Sequence, residues 1–208
     1  MSYNKRSTSQ WKIPLYKVST DEKDIMYVSN VLKRGTDWAI GPEIEKFETH
    51  LAKYTGRKYC IAFNSGTSAG HAALIALGIR AEFEVIVPSF TFIATANWPL
   101  MVQASPKFAD IETQTYGMDP KDLKSKISKK TKLIIPIHYA GLPCKIDEIE
   151  EISKKKKLHL IEDASESFGA CINGRKIGTF GDITIFSFAA NKILTTGEGG
   201  ALTTNSKE

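Results

Sequence analysis

A chain of 208 residues with 42% hydrophobic and 25% charged residues can bury the core of one large globular domain, and that balance excludes disorder. Its formal charge of +5 does not mark a nucleic-acid binder, because the lysines gather at 154–157 and between 121 and 132 with no aromatic residues among them, as on solvated helix ends and loops. Cys60, Cys144 and Cys171 fit no metal spacing and are odd in number, which points to a reducing compartment. The amino terminus lacks an apolar h-region and no apolar run reaches the ~20 residues of a membrane span, so a cytoplasmic protein is expected, with no nucleic-acid or membrane partner.

After a polar leader, Thr20 and Asp21 form the N-cap region of a helix whose Ile25, Val28, Val31 and Leu32 share one face, and Gly35 ends it. A second helix opens at Pro42, carries Ile44, Phe47, Leu51 and Tyr54 at helical spacing and stops at Gly56. Spacing assigns no role to Trp38, in the loop between them, and a buried anchor of that loop is one reading of it. Residues 59–63 form a strand, and Asn64, Ser65, Gly66, Thr67 and Ser68 lead into a helix of small and apolar residues through Leu77. This strand, glycine-containing turn and helix would present backbone N–H groups and hydroxyls to an anion, although the same letters also make an ordinary N-cap.

Residues 84–87 form a strand closed by Pro88, and a helix starts at Ser89 or Thr91. Further strands are expected at 108–111 and 133–137, with helices at 121–127 and 146–157. His138, at a strand terminus, reads as a hydrogen-bonded structural histidine, and His71 as a packed or capping one. Asn173 and Gly174 mark a hairpin turn. The alternation of strands and helices predicts an α/β fold with a mostly parallel sheet covered by helices on both faces.

The most informative stretch is 161–200. One apolar run ends in Glu162 and Asp163, and a second, 183–188, delivers Ser187 and then Lys192 among small residues. Strand carboxyl ends are where open α/β sheets place ligand groups.

The segments EDASESFGA, GTFGDITIFSF and NKILTTGEGG resemble those of the DegT-type sugar-nucleotide aminotransferases, enzymes of the aspartate aminotransferase-like fold that use pyridoxal 5′-phosphate (PLP). The resemblance implies that Lys192 forms the Schiff base with the cofactor and that Asp163 contacts the pyridine nitrogen. A carboxylate ~4 Å from a pyridinium is attracted by about 4 kcal/mol at an effective dielectric near 20, which keeps the ring protonated. The resemblance further implies that Gly66, Thr67, Ser68 and Ser187 hold the phosphate and that Phe92 stacks on the ring. Lys192 must react as a neutral amine, so desolvation or neighbouring positive charge is expected around it.

Glu166 stands where many relatives carry glutamine or histidine near the phenolic oxygen of PLP, and glutamate there resembles perosamine synthase-like relatives. A carboxylate beside a phenolate would be repelled, so Glu166 is expected to be protonated or aimed at the substrate. The implied reaction moves an amino group from an amino-acid donor, glutamate, to a keto group, C4, of a nucleotide-linked 6-deoxy sugar. A cofactor-binding homologue without turnover, or a dehydratase of the kind that replaces the lysine with histidine, are the alternatives, and Lys192 speaks against the second. By the same resemblance, residues 1–208 are the PLP-binding large domain of a homodimeric enzyme that continues into a smaller carboxyl-terminal domain. The polar run 203–206 reads as the N-cap of a further helix, and the 208-residue chain alone is expected to fold poorly and to lack transaminase activity.

Overall fold

The computed structural model describes residues 13–207, so most of the polar leader and Glu208 lie outside the described residues. The helices are α1 (Glu22–Arg34), α2 (Pro42–Thr55), α3 (Gly66–Ala76), α4 (Ile93–Met101), α5 (Pro120–Lys126) and α6 (Ile146–Lys156). The strands are β1 (Tyr59–Phe63), β2 (Glu84–Pro88), β3 (Ser105–Ala109), β4 (Thr131–Ile134), β5 (His159–Asp163), β6 (Cys171–Ile172), β7 (Arg175–Lys176), β8 (Ile183–Ser187) and β9 (Gly200–Thr204).

The expected helix boundaries follow from local chemistry. Asp21 accepts the amides of Lys23 and Asp24 while Asp24 returns a bond to the Asp21 amide, a reciprocal cap, and Gly35 closes α1 at a φ of 75°. Pro42 opens α2, where its missing N–H costs nothing, and Gly56 ends it at a φ of 68°. Asn173 and Gly174 join β6 to β7 with φ of 49° and 77°, the pair of positive values that a tight hairpin demands.

Seven strands form one sheet in the order β1-β9-β8-β5-β4-β2-β3. β2, β3, β4, β5 and β8 run parallel, whereas β9 is antiparallel to both of its neighbours. Because side chains alternate along a strand, the sheet feeds two cores. On one face Val85, Val87, Leu133, Ile135, Ile161, Ile183 and Ile185 pack with α3 and α4 side chains such as Leu74 and Trp98. On the other, Ile86, Ile134, Leu160 and Phe186 pack with Leu51 of α2, Leu123 of α5 and Ile149 of α6. No residue of α1 is buried.

Several expectations need correction. The third strand lies at Ser105–Ala109 rather than 108–111, and it contains Pro106, which is tolerated because β3 is an edge strand pairing with β2 alone. β4 stops at Ile134, since Pro136 has no N–H for a ladder, and Ile137 keeps one isolated bridge to Asp163. α4 starts at Ile93, with Phe92 as its N-cap. Residues 203 and 204 do not cap a helix. They finish β9, a buried central strand in which Thr204 Oγ1 donates to the Asp182 carbonyl at 2.8 Å. Trp38 is 59% exposed and so is not a buried anchor; Arg34 holds that loop, donating to the carbonyls of Thr36 and Asp37 and to Glu43.

Candidate active site

The carboxyl ends of β5 and β8, the amino ends of α3 and α4 and the loop after β8 enclose a cavity of about 300 Å³. A larger hollow of about 590 Å³, lined mostly by apolar side chains of β1, α3 and β9, contains none of the expected site residues. The smaller cavity gathers Gly66, Thr67, Phe92, Asp163, Glu166, Ser187 and Lys192. Ser68 stands apart: its amide donates to Ser65 Oγ at 3.1 Å, and its hydroxyl shares a 3.0 Å bond with the same oxygen.

Alternation along β5 separates its two terminal carboxylates. Leu160 and Glu162 face the α2 and α6 layer, while Ile161 and Asp163 face α3, α4 and the cavity. Glu162 is fully buried and accepts from the amides of Gly178 (2.8 Å) and Phe180 (3.0 Å) and from Thr184 Oγ1 (2.9 Å). These bonds tie β5 to β8 and the segment before it.

His138 completes that network as the structural histidine expected, with Nε2 3.1 Å from Glu162 Oε1 and Nδ1 3.1 Å from the Cys144 amide. Burial resists charge on this ring, whereas Cys144 and Glu162 favour it. The amide aimed at Nδ1 decides between them, since an accepting Nδ1 carries no proton. We assign the neutral tautomer, with Nε2–H donated to Glu162.

Asp163 is only 2% exposed. Ser165 donates its amide to Oδ1 (3.1 Å) and Thr95 its hydroxyl to Oδ2 (2.7 Å). Burial pushes the Asp163 carboxyl up from the ordinary range, and the hydrogen bonds from Ser165 and Thr95 only partly oppose it. A desolvated carboxylate met by neutral donors on the protein side is a receptor for a cationic N–H.

The anion end is set by α3. Ser65 is its N-cap, so the amides of Gly66 and Thr67 are among the first of the helix and have no acceptor within it. A Cβ on Gly66 would lie 3.1 Å from Ser187 Cβ, and one on Gly200 would lie 2.2 Å from the Ser65 carbonyl carbon. The two glycines let α3 begin directly against β8 and β9. Phe92 is 64% exposed beside the cavity, so its ring is free to cover a flat ligand.

Lys192 reaches the cavity from the β8–β9 loop, which is pinned by bonds such as Thr196 N to the Phe188 carbonyl at 3.0 Å. Its Nζ donates to Glu166 Oε1 at 3.2 Å, and Glu166 Oε2 accepts the Ala140 amide at 2.9 Å. Of the two arrangements expected at Lys192, its side chain is largely shielded from solvent while its neighbour is a carboxylate rather than a positive charge, and Glu166 acts as an acceptor through both oxygens.

Sequence reasoning missed Ser65, Thr95 and Ser165 as site residues. The N-cap of Ser65 was legible as a hydroxyl three residues before Ser68. Thr95 had only its i, i+4 spacing from Thr91, and nothing in the sequence couples either to Asp163. Together these groups suit a flat ligand with an anionic group at one end, a cationic ring N–H opposite and a carbonyl open to an amine.

Residues 18–208 match the family described as DegT/DnrJ/EryC1/StrS aminotransferases. The GDP-perosamine synthase of Vibrio cholerae is 40% identical over 194 residues, 93% of this chain and 53% of that protein. The GDP-perosamine synthase of Escherichia coli O157:H7 is 42% identical over 195 residues, 94% of this chain and 54% of that protein. The chain thus spans about half the length of these curated relatives. Among solved structures, an aminotransferase from Psychrobacter cryohalolentis superposes with a TM-score of 0.88 at 39% identity, covering 91% of this chain and 48% of that one. A Streptococcus pneumoniae protein, Spr1654, solved in a PLP form, superposes with a TM-score of 0.89 at 30% identity over 95% of this chain and 54% of that one. With a family match across residues 18–208 and the fold shared with these structures, the chain belongs to the DegT/DnrJ/EryC1/StrS aminotransferase family.

Proposed function

We propose that residues 1–208 form the cofactor-binding domain of a PLP-dependent aminotransferase. The full protein moves an amino group from glutamate to a keto carbon, C4, of a nucleotide-linked 6-deoxy sugar used in polysaccharide biosynthesis. The observation that carries this reading is buried Asp163 sharing one cavity with Lys192 and the amino end of α3. The amides of Gly66 and Thr67 and the hydroxyls of Thr67 and Ser187 bind the phosphate, and Phe92 packs on the ring. Asp163 holds the proton of the ring nitrogen. Bound there, PLP supplies an electron sink for the carbon that gains or loses the amine.

Lys192 is the amine that attaches the cofactor and, once released, takes a proton from the substrate carbon and returns it. Glu166 is the group in reach of that amine, 3.2 Å away, and so the one placed to take up its proton before it reacts. The preference for C4 is supported by glutamate at position 166 and by the similarity to the two perosamine synthases.

The test is spectroscopic. The full-length protein loaded with PLP should lose its yellow colour on addition of glutamate and regain it with a 4-keto nucleotide sugar. A protein that binds PLP and stays yellow with glutamate would leave a binding role without turnover. A response to 3-keto sugars alone would remove the C4 assignment.

A further inference from the structure

Resting on the reading above, we infer that Thr95 is a positioning residue: its hydroxyl, itself supplied by Thr91, holds Asp163 ionised and orients its carboxylate toward the cofactor ring. Thr95 lies on the first turn of α4 and is 1% exposed, with Oγ1 2.7 Å from Asp163 Oδ2. The Thr91 and Thr95 hydroxyl oxygens are 2.8 Å apart. A threonine hydroxyl owns one proton. When Thr95 gives that proton to Asp163, Thr91 must be the donor in the second contact.

The chain of donation Thr91 to Thr95 to Asp163 therefore exists only while Oδ2 is unprotonated. A proton on Oδ2 would reverse both bonds, and a proton on Oδ1 would face the Ser165 amide that already donates there. The first change replaces a bond to a charged acceptor by a neutral one and the second loses the Ser165 bond, so the relay favours the carboxylate against the burial that disfavours it. α4 also forgoes a side-chain cap at its amino end, and Thr91, the hydroxyl just before the Phe92 N-cap, is engaged with Thr95 instead.

The one other ionisable group that pulls the Asp163 carboxyl down is His138, and it is held neutral by its bonds on the far side of the strand. Of the charged groups lining the cavity, Lys192 and Glu166 bond to each other, and Glu198 comes from the same loop as Lys192. His138, from the segment after β4, is engaged with Glu162 and Cys144 on the other side of the strand. α3 and α4 bring no ionisable side chain to this cavity.

The experiment measures PLP affinity against pH by absorbance in full-length Thr95→Val, Thr95→Ser and Thr91→Val. Loss of a hydrogen bond to a charged group predicts that Thr95→Val binds about tenfold more weakly at neutral pH. The acid limb of its affinity profile should move up by about one pH unit. Thr95→Ser should keep the parental limb, and Thr91→Val should move it in the same direction by less. An unchanged profile in Thr95→Val overturns the inference, and so does a uniform loss of affinity with the limb unmoved, which would mean packing alone. If circular dichroism shows Thr95→Val unfolded, Thr91→Val decides, and an unmoved limb there overturns it. A parent protein that binds no PLP would instead sink the functional reading on which this role rests.

Discussion

Lys192 Nζ donates to Glu166 Oε1 at 3.2 Å across the cavity, so the amine assigned to cofactor attachment starts as half of an ion pair. The pair is mostly shielded, with 15% and 23% of the two side chains exposed, and the second oxygen of Glu166 accepts the Ala140 amide. Ala140 sits at a φ of 52°, a left-handed conformation costly for a residue with a Cβ, and its amide bond to Glu166 helps hold it. The pair couples the reactive amine to the loop that follows β4.

Lys192→Ala should abolish covalent attachment of PLP while leaving noncovalent binding, because the α3 amides, Phe92 and Asp163 remain. Borohydride reduction followed by mass spectrometry checks this. Cofactor still fixed to the variant after reduction would mean that another amine carries the link.

Asp163→Ala should cost activity far more than Glu166→Gln. The alanine variant removes the buried charge facing the ring, and a preorganised charge in a dry site is worth about 100-fold or more in rate. Glutamine at 166 keeps an acceptor for the Ala140 amide and loses only the charge beside Lys192, for which about tenfold is expected. Steady-state kcat/KM of the two variants decides, and equal losses would remove the ranking.

How far the sequence reveals this site depends on how local each signal is. The start of α3 was legible because strand, Ser65, Gly66 and helix are contiguous, whereas Glu162 and Asp163 were brought to one strand end together and only the sheet turns them to opposite faces. β9 was not. Thr203 and Thr204 have the letters of a cap, but their fate is set by β1 and β8, which hydrogen-bond to them from either side. The Thr95 bond to Asp163 spans 68 residues, a distance over which no sequence period carries information. Trp38 failed as an anchor because Arg34, three donors in one fork, already satisfied the loop carbonyls and Glu43.

Gly200→Ala should lower both stability and phosphate affinity. Gly200 pairs with Phe63 on one side and Ser187 on the other, and its added Cβ would meet Ser65 C at 2.2 Å and Gly66 N at 2.3 Å, backbone atoms that cannot rotate away. Relief requires shifting the amino end of α3, for which about 2 kcal/mol is expected. Urea unfolding and PLP titration check the two effects together. Wild-type stability with unimpaired binding would show that β9 and α3 are not locked as described.

Asp163→Asn should destroy function and yet stabilise the cofactor-free protein at neutral pH. Asparagine has nearly the same shape, its oxygen can keep the Ser165 amide, and its NH2 can donate to Thr95, whose hydroxyl then turns to Thr91. What disappears is a carboxylate charge that burial opposes. The sign follows from proton linkage. A carboxyl whose pKa is raised on folding binds protons more tightly in the native state, so the wild type gains stability as pH falls from its raised native pKa toward the ordinary carboxylate value. The advantage of the asparagine variant, about 1 kcal/mol, should therefore be full above the raised pKa and shrink as pH falls through it. Thermal unfolding of both proteins without PLP at several pH values measures the difference directly. An asparagine variant less stable than wild type at every pH would mean that the charge of Asp163 is already compensated without a ligand, and the cavity would lose its claim to await a cationic ring.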